Sequence, residues 1–338
     1  MKLVSFSPKG EHQIRLGFLL QNQVLDVLKA AKWMELNERA SIYLQIPGSM
    51  RSLLENWQKT FPLLKNLAES LQKQEVEQMS IHNESITCRT EEITYYPPVL
   101  NPPSFRDFYA FERHVKTSRS LRNLEMISEW YEFPVFYFSN PNAFLGHKMP
   151  LKVPPYTEEL DYELEMACII GKEGCNIPID EAPDYIAGYS ILNDWSARDI
   201  QRREMRVGLG PAKGKDFATS LGPYLVTADE LEGLRKNKGF DLAMTAKRNG
   251  KLLSKGNFSD ISYSFAEMIV RASQGATLYP GDVFGSGTVG TGCILELRPE
   301  ITGGWLKPGD VIELKIDNLD TLRTEIIESR NGCAQEII

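Results

Sequence analysis

Residues 193–201 read NDWSARDIQ, and they follow an apolar run, YIAGYSIL, that spans Tyr185 to Leu192. The run reads as a buried strand, yet it ends in two acids, an arginine, a tryptophan and two amides within nine residues. A surface loop carries such groups at little cost. A buried strand end does not, because an unpaired buried charge costs several kcal/mol or changes its protonation state. The chain must therefore adopt a fold in which other segments bring partners to this strand end.

With 338 residues the chain exceeds the roughly 250–300 over which one hydrophobic core keeps growing, so a large domain with a smaller companion is expected. Its net charge of −7 argues against a nucleic-acid partner, which calls for a basic face. A small anionic substrate needs only a local basic pocket. The opening MKLVSFSPKGEHQIRLGFLL has Lys9, Glu11, His12 and Arg15 where a signal peptide needs an unbroken apolar core. No uncharged apolar run reaches the roughly 18 residues of a membrane span. A cytoplasmic protein without a membrane partner is the expectation. Cys88, Cys168, Cys175, Cys293 and Cys333 show no C-x-x-C spacing, which suits reduced, packed thiols rather than a disulfide frame or zinc site.

KLVSFS, IRLGFLL and QVLDVL read as strands, and LLENWQKTFPLLKNLAESLQKQ has apolar residues at helical spacing, with Pro62 expected to break or start a helix. YYPPVLNPPS, Tyr95 to Ser104, has four prolines in ten residues and predicts a stiff, extended connection. The expected division is a small N-terminal α+β domain over 1–95, a linker over 96–104 and a larger domain over 105–338. Beyond the linker the texture is β-rich: ELEMACIIG, YIAGYSIL, GPYLVTA, DVFGSGTVG, CILELRPEI and DVIELKI read as strands, and Asn249-Gly250 as a two-residue hairpin. Pro280-Gly281-Asp282 and Pro308-Gly309-Asp310 each introduce a strand as turns. The class is α+β, not alternating βαβ.

GSGTVG, Gly285 to Gly290, matches G-x-G-x-x-G literally, but no helix is expected to follow it, so a dinucleotide-binding turn is rejected. The acids are more informative. Glu163 and Glu165, in DYELEMACII, are two apart in a strand and emerge on one face. Asp194 ends another strand, and Asp107 follows the proline segment in FRDFYAFERH. Four acids from three segments make a cage for a hard divalent cation such as Mg²⁺, Mn²⁺ or Ca²⁺, or else they are surface acids of an acidic protein; spacing leaves both readings open. A helix beginning after Asp194 would put Asp194, Arg198 and Gln201 on one face, where Arg198 offsets part of the carboxylate charge or else makes a structural ion pair with it, and Lys215 follows a glycine-rich stretch. His114, near Asp107 and Tyr109, is the best general base on offer, because His12, His82 and His147 have no such neighbours. Glu296, alternating with Leu295 and Leu297, is either an acid that orients the imidazole or an outward-facing polar residue.

Taken in order over roughly residues 100–315, DFYAFERH, ELEMA, NDWSARDIQ, GKDFATSLGP and SGTVG…CILEL resemble the fumarylacetoacetate hydrolase family. The resemblance implies a mixed β-roll catalytic domain, usually homodimeric, with Mg²⁺, Mn²⁺ or Ca²⁺ bound in an acidic pocket. It implies Asp107, Glu163, Glu165 and Asp194 as metal ligands and His114 with Glu296 as a water-activating dyad. Arg198, Gln201, Lys215 and Thr288 match positions that bind substrate or stabilise charge, Tyr109 and Tyr137 match tyrosines that contact substrate oxygens, and Arg119 and Arg122 are approximate counterparts of an arginine that holds a distant carboxylate. Thr117, three residues after His114, replaces the glutamate of the acylpyruvase and decarboxylase branch. This favours hydrolysis of a carbon–carbon bond in a 1,3-diketo acid, fumarylacetoacetate or a related acylpyruvate. The alternative is a decarboxylase, isomerase or hydratase of oxaloacetate or hydroxydienoates. Met205 and Arg206 stand where the hydrolase has a substrate-binding tyrosine.

Overall fold

The computed structural model describes residues 1–329; Cys333 and the end of the 105–338 segment lie outside the described residues. A twelve-stranded sheet runs through the molecule. Its main path is Thr87–Arg89, Gln23–Asp26, Arg15–Leu20, Lys2–Pro8, Thr219–Thr227, Ile186–Asp194, Leu164–Ile170, Val283–Gly285, Phe105–Phe108 and Phe136–Phe138. The join between the N-terminal strands and the rest is direct. Lys2 pairs with Val226 and Leu3 with Leu225 in an antiparallel ladder, so the sheet is continuous across the 96–104 segment.

The apolar runs are continuous because this sheet is covered on both faces. Along Leu164–Ile170 alternate side chains enter opposite cores, as the two-residue period of a strand requires. Ala167 and Ile169 pack in the core that holds Leu53, Leu64, Leu67 and Leu71, from the helices Met50–Glu55 and Trp57–Leu71. Met166, Cys168 and Ile170 enter the other core, with Met244, Leu314 and Leu322 from a five-stranded sheet made of Leu151–Lys152, Asp320–Ile327, Val311–Ile316, Ala243–Arg248 and Lys251–Asn257. Val311–Ile316 buries Ile312, Leu314 and Ile316 and turns its other residues outward, the one-sided alternation of a sheet with a wet face.

Asn249 and Gly250 have φ of 52° and 78°, the pair of positive values that a tight hairpin needs. Three expectations are corrected. QVLDVL is a strand only to Asp26, whose Oδ1 accepts from Leu28 N at 3.0 Å and Lys29 N at 3.2 Å and so caps the helix Val27–Glu38. Pro62 lies inside the helix Trp57–Leu71, whose buried stripe of Trp57, Thr60, Leu64, Leu67 and Leu71 holds it on the sheet. CILELRPEI is not a strand but the short helices Ile294–Leu297 and Pro299–Thr302, because Thr291 and Arg298 at φ of 70° and 67° break the extended path on either side. Among the described residues, no helix is long and apolar enough to cross a membrane.

Candidate metal centre and its dyad

The sheet register assembles the acids. Phe105–Phe108 lies parallel to Val283–Gly285 with Asp107 opposite Gly285, and Leu164–Ile170 lies antiparallel to Ile186–Asp194 with Glu165 opposite Leu192. Asp107, Glu163, Glu165 and Asp194 are all buried, and one oxygen from each lies within 4.8 Å of the others. Gly285 makes the room: a Cβ there would stand 2.3 Å from Asp107 Oδ1 and 3.0 Å from Glu165 Oε2. Gly287, at φ 79°, donates its N–H to Glu165 Oε2 at 2.9 Å, and Thr288 Oγ1 donates to Glu165 Oε1 at 3.2 Å. The glycine spacing that imitates a dinucleotide fingerprint thus allows a close approach to carboxylates. Gly285→Ala is expected to weaken Mn²⁺ binding at least about 10-fold and to cost about 1–3 kcal/mol of stability, the usual range for overpacking. Titration calorimetry and thermal unfolding read the two effects separately.

Two cations partly offset the acids. Lys215 Nζ donates to Asp194 Oδ2 at 2.5 Å and also to Glu163. Arg198 Nη2 donates to Glu163 Oε1 at 2.8 Å, its Nη1 to Gln201 Oε1 at 2.9 Å and its Nε to Asp161 Oδ2 at 2.9 Å. Asp194 is therefore not the partner of Arg198. The helix starts only at Arg198, after Ser196–Ala197, so Asp194 lies on the strand and Lys215 meets it instead. Glu204 fixes the loop that leads to Lys215: its carboxylate accepts the N–H groups of Ala212, Lys213 and Gly214 at 2.9, 2.7 and 3.1 Å and ties the glycine-rich loop to the helix.

Four carboxylates facing these two cations leave two negative charges unmatched even before Asp161 is counted. Burial, then the charge of Asp194, drives Asp107 well above the ordinary carboxylate range. Burial followed by Asp107 and Glu163 does the same to Glu165, and burial raises Asp194. Burial also opposes the charged form of Glu163, but Lys215 and Arg198 outweigh it and hold that carboxyl low. Asp107 Oδ1 and Asp194 Oδ1 are buried without a hydrogen-bond partner among the described residues. Orphaned oxygens, an all-oxygen donor set and excess negative charge fit a hard divalent cation held by Asp107, Glu163, Glu165 and Asp194.

A pH dependence follows. Asp107, Glu165 and Asp194 bind protons more tightly in the folded chain than in the unfolded one. Their contribution to stability is whole below the ordinary carboxylate pKa of about 4 and is lost as pH rises through their raised values. Glu163 has the opposite sign and acts below that window. Chelator-treated protein is expected to lose thermal stability as pH rises above the ordinary carboxylate range, and Mn²⁺ is expected to flatten the curve. Parallel curves with and without Mn²⁺ would count against the cage.

His114 is buried in the helix Glu112–Ser120, and its Nδ1 lies 2.8 Å from Glu296 Oε2. Glu296 reaches it from the short helix Ile294–Leu297 rather than by strand alternation. Burial works against the charged form of Glu296, but the imidazole beside it keeps the carboxyl below its ordinary value. His114, Lys215 and the cage carboxylates Asp107, Glu163 and Glu165 line one cavity of about 680 Å³. Tyr109 stands edge-on to His114 with ring centroids 5.4 Å apart, and burial pushes its hydroxyl up to about 12. Tyr137 donates to Asp194 Oδ2 at 2.5 Å. Arg122 is exposed and lines the same cavity together with Met205 and Arg206, while its Nε donates to Ser118 O at 3.2 Å. The structure gathers most of the candidate side chains around one space, with Arg122 the most exposed of them; Asp194 and Glu296 stand outside its lining, against Lys215 and His114.

Asp161 and Glu204 escaped the sequence reading. A signal for Asp161 existed, because it alternates with Glu163 and Glu165 in LDYELE; nothing local marked Glu204.

Comparison with known proteins agrees with this geometry. The family described as "Fumarylacetoacetate (FAA) hydrolase C-terminal" matches residues 104–327. A fumarylacetoacetate hydrolase domain-containing protein 2 homolog from Dictyostelium discoideum is 28% identical over 332 residues, 95% of this chain and 96% of the relative. The mitochondrial oxaloacetate tautomerase fahd2 of Xenopus laevis is 27% identical over 97% of this chain and 90% of its own. In fold, the chain is similar to maleylpyruvate hydrolase from Sphingobium sp. SYK-6, solved with manganese(II) and pyruvate. The TM-score is 0.68 at 20% identity, covering 98% of this chain and all of that one. The matched segment carries the whole cage and both members of the dyad, and the chain belongs to the fumarylacetoacetate hydrolase family.

Proposed function

We propose that the protein hydrolyses a carbon–carbon bond in a 1,3-diketo acid of the fumarylacetoacetate or acylpyruvate type. The observation that carries this reading is the His114–Glu296 pair at 2.8 Å, with His114 on the wall of the cavity that Asp107, Glu163 and Glu165 also line. With Nδ1–H hydrogen-bonded to Glu296, Nε2 is left as the basic nitrogen for the cavity that His114 lines. His114 takes a proton from a water there, and Glu296 stabilises the imidazolium that forms. The water oxygen bonds to the carbonyl carbon. The bond from that carbon to the central methylene then breaks, its electron pair leaves with the methylene as an enolate, and a proton returned to that carbon completes the products. Lys215, Arg198 and Gln201 supply donors for the developing negative charge. Thr288 and Tyr137 hold Glu165 and Asp194 in place through their hydroxyls. A divalent cation held by Asp107, Glu163, Glu165 and Asp194 would supply Lewis acidity to the substrate. Mg²⁺, Mn²⁺ and Ca²⁺ all suit the donor set, and the manganese(II) in the Sphingobium structure makes Mn²⁺ the first to try.

The name of the Xenopus relative motivates a second reading, in which the same Nε2 moves a proton between keto and enol forms of oxaloacetate. The deciding experiment follows enol absorbance of fumarylacetoacetate and short acylpyruvates with chelator-treated protein, with and without Mn²⁺ or Mg²⁺. Metal-dependent loss with stoichiometric release of a carboxylic acid supports hydrolysis. Interconversion of oxaloacetate tautomers with no cleavage of any diketo acid supports the second reading. A cytoplasmic homodimer belongs to the same proposal, and sedimentation of the purified chain tests the dimer.

A further inference from the structure

Asp161 is fully buried and stands outside the residues that line the cavity, yet it binds both halves of the site. Its Oδ2 accepts from Arg198 Nε at 2.9 Å, and Arg198 in turn holds the cage carboxylate Glu163 and the side chain of Gln201. Its Oδ1 accepts Ile294 N–H at 2.8 Å and its Oδ2 also accepts Leu295 N–H at 3.0 Å. Those are the first two amides of Ile294–Leu297, the turn that carries Glu296. First-turn amides have no partner within their own helix, and buried amides without partners cost stability. One carboxylate therefore fixes where this turn sits. Cys293, just ahead of the turn, adds a weaker contact from Sγ to Glu296 Oε2 at 3.5 Å.

We infer that Asp161 is a positioning residue that registers the Glu296 turn against the metal cage, binding the turn's amides with the same carboxylate that anchors Arg198. If Asp161 only balanced the arginine's charge, loss of that charge would disturb Glu163 and leave the dyad alone. If it sets the register, the dyad must feel the change first. Asp161→Asn is the sharpest probe. The amide keeps the size but has one acceptor oxygen for three donors, and its NH₂ faces a donor.

The catalytic arm of the test rests on the hydrolase reading; the spectroscopic arm does not. In protein labelled with ¹⁵N-histidine, the Nδ1 proton of His114 is assigned by its disappearance in His114→Gln. In Asp161→Asn that proton is expected to broaden or move upfield, and an unchanged signal in a folded variant overturns the inference. In turnover, Asp161→Asn is expected to lower kcat about 10–100-fold, the range for residues that orient a site from behind, with KM nearly unchanged. In a Glu296→Gln background the same change is expected to add less than about 2-fold, because both substitutions act through one side chain. Full additivity overturns the inference. If no diketo acid is turned over at all, the hydrolase reading fails alone and the histidine signal still decides this one. Should Asp161→Asn not fold, amide exchange in the unaltered protein answers: slow exchange at Ile294 and Leu295 is expected, and exchange at the rate of an open loop overturns the assignment.

Discussion

His114→Ala is expected to lose about 10²–10⁴-fold in kcat, the usual contribution of a positioned general base, while Mn²⁺ binding is retained. The separation follows from geometry. His114 contacts Glu296, and the four cage oxygens come from other side chains. The check pairs steady-state kinetics with calorimetric titration of Mn²⁺ on the same preparation. A near-normal rate removes His114 from the mechanism. Lost metal binding would mean that the helix Glu112–Ser120 supports the cage and that the rate says nothing about the base. Glu296→Gln should follow His114→Ala in kcat without adding to it, since the two residues act as one unit.

Glu165→Gln should fail in the opposite order, with metal binding lost first and rate as a consequence. Glu165 is fully buried between Asp107 and Glu163 and accepts from Gly287 N–H and the Thr288 hydroxyl. The glutamine keeps one acceptor oxygen, but its NH₂ must face a donor or the cation. Removing an outer-shell partner typically costs 10–100-fold in metal affinity, so loss of a ligand should cost about 10²-fold or more. Chelator-treated Glu165→Gln should also lose less stability than the unaltered chain as pH rises, because one strongly raised carboxyl is gone. Unchanged Mn²⁺ affinity would dismantle the cage. A variant that binds Mn²⁺ normally but turns over slowly would reassign Glu165 to the reaction itself.

Parts of this site were legible because local chemistry marks them. NDWSARDIQ breaks the rule that a buried strand ends in neutral groups, and its violation located Asp194, Arg198 and Gln201. Glu163 and Glu165 were readable as a pair because a strand repeats every two residues. The turns at Asn249-Gly250, Pro280-Gly281 and Pro308-Gly309 were readable because few residues accept their backbone angles. The failures have a common cause. CILELRPEI alternates like a strand, and its conversion to short helices follows from backbone angles at Thr291 and Arg298 that pattern does not reveal. The helix expected directly after Asp194 starts only at Arg198, because spacing cannot show that Ser196–Ala197 stays extended.

What the sequence by itself determined is the chemistry available and its local geometry: which acids exist, which pairs share a strand face, which stretches are too apolar to stay in water, and where the chain turns. Those depend on steric rules that act over a few residues. Only the tertiary structure decided which of these groups meet. Asp107, Glu165 and Asp194 come together because two ladders, one parallel and one antiparallel, set Asp107 beside Gly285 and Glu165 beside Leu192. A slip of one residue in either ladder would turn its carboxylate to the opposite face of the sheet. The continuity of that sheet from Arg89 to Phe138, across the proline-rich segment, has the same origin. Strand pairing is a bond between distant segments, and its register is settled by the burial of both faces at once.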